Sequence, residues 1–248
     1  MDLLIGTLLL RPYVFGFLVA FLAAGFADLG VRRTLLFAAW VGPLAWLCEF
    51  SSTRIGVPFG LYHYTGTTRG QELFVGNVPF MDSLSFTFLA YAAYCLARVA
   101  LAGRRPPAPT VALVAGLLMM ALDVVIDPLA VRGERWFLGR IFYYPEGGVY
   151  FGVPLSNFAG WVVVGTLGVG GYLALTRRLR GGAAPGGRPW PGVALYYAVF
   201  VFNLAVTAWI GEWVLVMVGA TVHLVTALVL WSVSQRPAGR LGLEKQRA

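Results

Sequence analysis

The chain has 248 residues, of which 58% are hydrophobic and only 12% are charged. The charged share is about half of that in a typical soluble domain. With a mean hydropathy of +0.74, a soluble fold of this length could not bury its apolar surface. The composition therefore indicates an integral membrane protein.

The composition also excludes several kinds of site. The single lysine, Lys245, lies in the C-terminal segment, whereas a retinal Schiff base needs a lysine in mid-membrane. Two histidines are too few for the histidine clusters of membrane di-iron desaturases. Cys48 and Cys95 lie in apolar runs without CxxC spacing, so we expect neither a disulfide framework nor a zinc site.

Seven apolar runs are long enough to cross a bilayer, which takes about 20 residues. They predict an all-α, polytopic bundle that forms one membrane domain over 1–248. The predicted helices cover 12–30, 34–50, 79–101, 110–131, 153–176, 192–211 and 213–233. Residues 3–10 are also apolar, but Arg11 and Pro12 interrupt the run, so the first helix is expected to start at Pro12. Asp2 replaces the basic start of a signal peptide, so none is expected.

Basic residues alternate between the two sides of this bundle. Of the 19 Lys and Arg residues, 13 fall after the first, third and fifth helices and in a tail over 234–248. Cytoplasmic connections carry the excess of basic residues, so we expect a multi-pass cell-membrane protein with a cytoplasmic C-terminus. A nucleic-acid surface is not expected, because the basic loops are short, rich in Pro and Gly, and free of interleaved aromatics.

Polar residues of the predicted helices collect in the outer half of the bundle. Those near the outer helix ends are Glu49, Asp82, Asp123, Asp127 and Asn157, while Asn203 and His223 lie near mid-depth. Polar groups are costly inside a bilayer, so this convergence indicates a site. The inner half is nearly free of acids, which favours an enzyme with one-sided water access over a proton-coupled transporter.

Asp123 and Asp127 are four residues apart, so they project from one helix face about 6 Å from each other. Two such carboxylates do not both ionise easily in a low-dielectric site, and we expect them to share a proton at neutral pH. That state is the one a general acid needs. The alternative is a structural pair satisfied by arginine or tyrosine.

Structural interpretations stay open for the other candidates too. Asp82, which follows a proline, fits ordinary helix-start chemistry, and Glu49 fits a plain ion pair with Arg54. Asn157 and Asn203 fit helix-packing hydrogen bonds, and His223 fits a hydrogen-bonded core residue. The outer-loop tyrosines fit an interfacial aromatic belt; they are Tyr62, Tyr64, Tyr143, Tyr144 and Tyr150.

A weak internal repeat relates the two outer hairpins. Each has acids before a loop, two tyrosines within it, and a Val-Pro step followed by a polar residue. The corresponding residues are Glu49, Tyr62, Tyr64, Val78-Pro79 and Asp82 in one hairpin, and Asp123, Asp127, Tyr143, Tyr144, Val153-Pro154 and Asn157 in the other. Chance is the alternative over so few positions.

Four stretches of the sequence resemble the carotenoid biosynthesis membrane proteins of the CruF type. They are EFSSTRIGVPFGLYHY over 49–64, VPFMD over 78–82, LDVVIDP over 122–128 and YFGVPLSNFAGW over 150–161. The resemblance covers about 12–230. It implies hydration of a carotenoid, in which water adds across the terminal double bond of an acyclic ψ-end and gives a tertiary alcohol. It implies no cofactor, and membrane lipid and other carotenoid-pathway enzymes as partners.

Our own interpretation of the residues fits that reaction. The Asp123/Asp127 pair would donate the proton, and Asp82 or Glu49 would hold and deprotonate water. No metal ligands are expected. Predicted substrate contacts are Tyr62, His63, Tyr64, Tyr143, Tyr144, Asn157, Trp161, Asn203 and His223. The alternative is a seven-helix transporter or carotenoid-binding protein without chemistry, in which the buried acids relay protons or hold helices together.

Overall fold

The computed structural model describes residues 2–104, 106–178 and 187–235. Most of the predicted tail over 234–248 lies outside this range, and so do several cations counted above. These are Arg105, Arg180, Arg236, Arg240, Lys245 and Arg247.

Helices make up most of the described chain, which confirms the predicted all-α, polytopic membrane architecture. They are α1 (Leu3–Leu10), α2 (Pro12–Asp28), α3 (Val31–Ile55), α4 (Phe80–Ala100), α5 (Ala108–Ala130), α6 (Leu155–Arg178), α7 (Trp190–Trp209) and α8 (Trp213–Gln235). Within the described residues, α3 to α8 are each long and apolar enough to cross a membrane. They correspond to the second to seventh predicted helices.

The first predicted helix, over 12–30, corresponds to α2, and the short α1 precedes it as a separate helix. α1 and α2 meet at Arg11 with a bend of 93°, and the pair is long and apolar enough for one broken span or a re-entrant loop. Pro12 occupies the first turn of α2, where its missing N–H costs nothing. The short α1 therefore turns away at the interruption that the sequence shows.

Four short strands in the two long loops were not predicted. They are β1 (His63–Tyr64), β2 (Phe74–Val75), β3 (Val78–Pro79) and β4 (Phe142–Tyr143). β2 and β3 form a hairpin, whereas β1 pairs antiparallel with β4. The second pairing ties the loop between α3 and α4 to the loop between α5 and α6, so the two loops form one cover over this end of the bundle.

α4 lies at the centre of the bundle, and its residues Tyr91, Ala92, Ala93, Cys95 and Ala97 have no exposed surface. Small residues also let α5 and α6 approach closely, as is common between membrane helices.

α5 and α6 pack tightly against each other at Gly116 and Gly165. A Cβ added at Gly116 would lie 2.6 Å from the Val162 carbonyl oxygen, and one at Gly165 would lie 2.8 Å from the Gly116 Cα. This contact places the C-terminal end of α5 beside the N-terminal end of α6, where the candidate site lies.

One acid lies at the opposite end of the bundle, where the sequence suggested almost none. Asp28, which is 4% exposed, forms an ion pair with Arg98 of α4. The Tyr91 hydroxyl donates to the same carboxylate at 3.4 Å. The pairing explains how an acid is accommodated there, and it weakens the argument that acids occur at only one depth.

Candidate active site

A cavity of about 120 Å³ lies under the two joined loops, where α3 and α5 end and α4 and α6 begin. Polar side chains from five helices line it. They are Glu49 of α3, Asp82 of α4, Asp127 of α5, Asn157 of α6 and Asn203 of α7. The predicted convergence of these residues is therefore present in the fold.

Asn157 joins the two aspartates of α5. Its side-chain nitrogen donates at 2.7 Å to Oδ2 of Asp123 and at 2.7 Å to Oδ2 of Asp127. The Trp161 indole N–H donates to the same Asp127 oxygen at 3.3 Å. Asp123 is fully buried and does not line the cavity, so Asp127 is the member of the pair that a substrate could touch.

Glu49 forms a second polar centre on the other side of the cavity. It is 3% exposed and accepts hydrogen bonds from Ser83 Oγ and, at 3.3 Å, from the Tyr64 hydroxyl. The Tyr62 and Tyr64 hydroxyl oxygens are 3.4 Å apart, so a hydrogen-bonded chain runs from Glu49 to Tyr62.

Arg54 does not form the ion pair with Glu49 that the sequence left open. Its guanidinium donates to the Phe50 carbonyl at 2.8 Å and to Asn77 Oδ1 at 2.9 Å. It also lies 3.3 Å from the centre of the Phe50 ring. Glu49 is thus directed into the cavity rather than toward the basic residue that follows it in sequence.

The tyrosines of the loops stay protonated donors. Desolvation by burial raises the pKa of the Tyr62 hydroxyl well above its usual value, and the charge of Glu49 adds to this. Burial and then the nearby Asp82 raise the pKa of Tyr64 in the same way. Tyr144, which also lines the cavity, has a raised pKa chiefly through burial.

Aromatic rings form a large part of the remaining wall, beside aliphatic side chains. Trp161 stacks on Phe86 with ring centres 4.7 Å apart and 22° between the planes. Phe59 lies 5.8 Å from Phe86, and Phe142 lies 5.6 Å from Tyr62. Phe59, Phe86 and Phe142 were not predicted as wall residues, because a phenylalanine in an apolar run carries no signal that separates a cavity wall from a lipid-facing surface.

Three predicted substrate contacts lie away from the cavity. His63 is exposed and pairs across strands with Tyr143, which is 38% exposed. The His223 ring stacks on Phe200 at 3.7 Å, and its Nδ1 lies 3.1 Å from the Gly219 carbonyl oxygen. For these residues the strand-pairing and core-packing interpretations describe the geometry, and the substrate-contact prediction has no support from it.

Asn203 fits both of its interpretations. Its side-chain nitrogen donates to the Val199 carbonyl of its own helix at 2.9 Å, and it also lines the cavity. Among the described residues, no group of three or more His, Cys, Asp or Glu side chains is arranged as metal ligands. The cavity presents carboxyl, amide and hydroxyl groups beside aromatic faces.

A model of a family described as carotenoid biosynthesis protein matches residues 6–226. A bisanhydrobacterioruberin hydratase of Haloarcula japonica is 34% identical over 149 residues, which are 60% of this chain and 47% of the relative. The chain thus spans about half the length of this curated relative. No solved structure matches the chain significantly.

Proposed function

This chain belongs to the carotenoid biosynthesis protein family, and we propose that it is a carotenoid hydratase. It adds water across the terminal double bond of an acyclic ψ-end and forms a tertiary alcohol. The observation that carries the proposal is the Asp123–Asn157–Asp127 cluster at the edge of a cavity walled by aromatic rings. The similarity to a protein named as a hydratase supports the same reaction class.

The size of the cavity fits the end of a terpenoid chain. An apolar cavity of about 150 Å³ binds one benzene molecule, and the cavity here measures about 120 Å³. A terminal group of a few carbon atoms fills such a space, together with one water molecule at its polar side.

Asp127 donates the proton in the proposed reaction. Its carboxyl proton goes to the less substituted carbon of the double bond, whose electron pair forms the new C–H bond. The other carbon becomes a tertiary cation. Asp123, held behind Asp127 by Asn157, keeps one proton shared within the pair, and aromatic faces stabilise the positive charge.

Water then attacks the cation from the side of the second polar centre. Glu49 or Asp82 accepts one proton of the water as its oxygen bonds to the tertiary carbon. The base then releases that proton to solvent and solvent returns one to the aspartate pair, so the balanced reaction consumes one alkene and one water and forms one alcohol. Ser83 and Tyr64 hold Glu49 in place for this step.

Isotope labelling tests the reaction directly. The protein, expressed in a bacterial host that accumulates lycopene, should convert it into a more polar pigment that is heavier by one water per hydrated end. Oxygen-labelled water should place its label in the new hydroxyl group. The visible spectrum should hardly change, since the terminal double bond is not conjugated with the polyene.

Two outcomes contradict the proposal. A label that comes from molecular oxygen would identify a hydroxylase. Unchanged pigment across acyclic and monocyclic carotenes, with folded protein in the membrane, would identify a transporter or a carotenoid-binding protein instead.

A further inference from the structure

We propose that a groove between α2 and α7 binds the polyene chain of the substrate while its end group occupies the acid-lined cavity. This inference rests on the proposed function and adds where the rest of the substrate lies. The groove has a volume of about 780 Å³ and is separate from the polar cluster described above.

The cavity is too small for a whole carotenoid, so the rest of the substrate needs a second site. The cavity of about 120 Å³ holds less than a benzene-sized molecule needs, which is about 150 Å³. A carotenoid carries a long rigid polyene behind its end group. When the terminal double bond lies beside Asp127, the chain must therefore leave the cavity through one of its walls.

The α2–α7 side is the wall that borders the groove. Tyr13 and Phe17 of α2 line both the cavity and the groove. On α7, Val199 and Phe202 line the cavity, and Ala198, the residue before Val199, lines the groove. The rings of Tyr13 and Phe17 pack against Phe202, with ring centres 5.3 Å and 5.5 Å apart. The two volumes thus share a boundary made of aromatic side chains, which turn aside in the proposed complex so that the polyene passes between α2 and α7.

The chemistry of the groove suits an unsubstituted polyene. Its remaining lining consists of glycine, alanine, leucine and proline side chains; they are Gly16, Ala20, Ala23, Ala24, Ala27, Pro191, Ala194 and Leu195. No hydrogen-bonding side chain other than Tyr13 faces it among these residues. Small side chains leave a straight channel on the helix surface, and a rigid rod loses little conformational entropy when it binds there.

The length of the groove also fits. Tyr13 and Ala27 mark its ends along α2, which at about 1.5 Å per residue gives about 21 Å. That distance is about two thirds of the hydrocarbon thickness of a bilayer, roughly 30 Å. The bound chain would run along the bundle from the cavity toward the end that carries Asp28, with one face of the polyene open to lipid.

Filling the groove with a large side chain tests the inference. Ala20→Trp and Ala198→Trp would each block it, whereas Ala205→Trp is a matched control, because Ala205 is exposed on α7 and lines neither volume. All three are made in an Asp127→Asn background and purified from cells that accumulate lycopene. The readout is the amount of lycopene retained per protein, so it does not depend on turnover.

We expect both groove variants to retain about tenfold less lycopene than the control, since overpacking a contact costs about 1–3 kcal/mol. With Asp127 restored, the same variants should raise KM for lycopene. Ala194→Leu serves as a milder variant if a tryptophan prevents folding, which size-exclusion chromatography and thermal unfolding will show.

Equal lycopene retention by the groove variants and the control would overturn the inference. It would also be overturned if the groove variants lost a bound phospholipid instead of lycopene. Failure of the proposed function looks different. In that case wild-type protein forms no alcohol, yet the groove variants still lose bound lycopene.

Discussion

Asn157 donates hydrogen bonds to the two carboxyl groups of α5 through one side-chain nitrogen. Its two amide hydrogens are both used, at 2.7 Å to Asp123 and at 2.7 Å to Asp127. An amide can donate but cannot take a charge, so it brings the carboxyl groups together without neutralising either of them. An arginine at this position would neutralise the pair as a salt bridge. Asparagine instead leaves the pair without a counter-charge.

The first prediction concerns this pair. Asp123→Asn and Asp127→Asn should each lower the hydration rate by at least about 100-fold, the usual contribution of a general acid. The neutral amide keeps the size of the side chain, so insertion and thermal unfolding in detergent should stay near wild type. Glu146→Gln, at an exposed loop position, is the control and should keep full activity. A variant that unfolds earlier but keeps its specific activity would instead identify a structural pair.

The second prediction concerns Tyr64. Tyr64→Phe removes the hydroxyl that donates to Glu49 at 3.3 Å and should slow hydration about tenfold. Burial raises the pKa of this hydroxyl above its ordinary value of 10.0, so it stays protonated below that pH. The loss should therefore be the same factor from about pH 6 to about pH 9.

The control for Tyr64 is Tyr143→Phe, which changes an exposed tyrosine outside the cavity and should leave the rate unchanged. A Tyr64→Phe penalty that disappears as the pH rises within this range would mean that the hydroxyl ionises, against the expected direction of its pKa.

Residue patterns in the sequence identified the acids more reliably than the histidines. The positions of Glu49, Asp82 and Asp127 could be predicted, because a carboxyl group in an apolar helix is costly unless it lies in a polar site. Its distance from the helix ends then sets its depth. Histidine carries no such constraint, since its neutral ring packs well in a core. His223 does so against Phe200, and no spacing in the sequence shows which neighbour it will meet.

At the scale of elements, the break between α1 and α2 places Arg11 where it contacts both outer loops that cover the site. Arg11 is 1% exposed and donates to both oxygens of Glu72, at 3.2 Å and 2.9 Å. It also donates to the Leu138 carbonyl at 2.6 Å. One side chain therefore links the helix bend to both outer loops.

The third prediction tests that link. Arg11→Met leaves the Glu72 carboxylate buried without its partner, which costs about 3–5 kcal/mol, so the unfolding temperature in detergent should fall clearly. Arg69→Met, at an exposed arginine of the same loop, should cost less than about 1 kcal/mol. The double variant Arg11→Met/Glu72→Met should recover part of the loss, because no unpaired charge remains. A fall as small as that of the control would show that the pair does not hold the loops.

The helices could be predicted within a few residues, because twenty consecutive apolar residues are a strong signal. The pairing of β1 with β4 could not, since two-residue strands carry no periodicity and their partners are about 80 residues apart. The role of Arg11 could not be predicted for a similar reason. Its partner Glu72 comes from a loop whose path depends on the whole fold.

At the scale of the whole molecule, exposed tryptophans mark the two membrane boundaries. Trp190 and Trp209 lie at the two ends of α7, and Trp213 and Trp231 lie near the two ends of α8. Each is at least 63% exposed. Tryptophan is enriched at both membrane–water interfaces. The candidate cavity, which Asn203 of α7 lines, then lies near the boundary marked by Trp209 and Trp213.

The last prediction concerns which side of the membrane that boundary faces. Arg32, Arg98 and Arg177 lie at the opposite end of the bundle, and further basic residues follow α8 in the sequence. Basic segments stay in the cytoplasm. Reporter fusions after Arg180 and at the C-terminus should therefore both give a cytoplasmic signal. A fusion within the loop over 132–152, which covers the site, should give an exported signal. Reversed signals would place the acid-lined cavity at the cytoplasmic face, and water and protons would then enter the site from the cytoplasm.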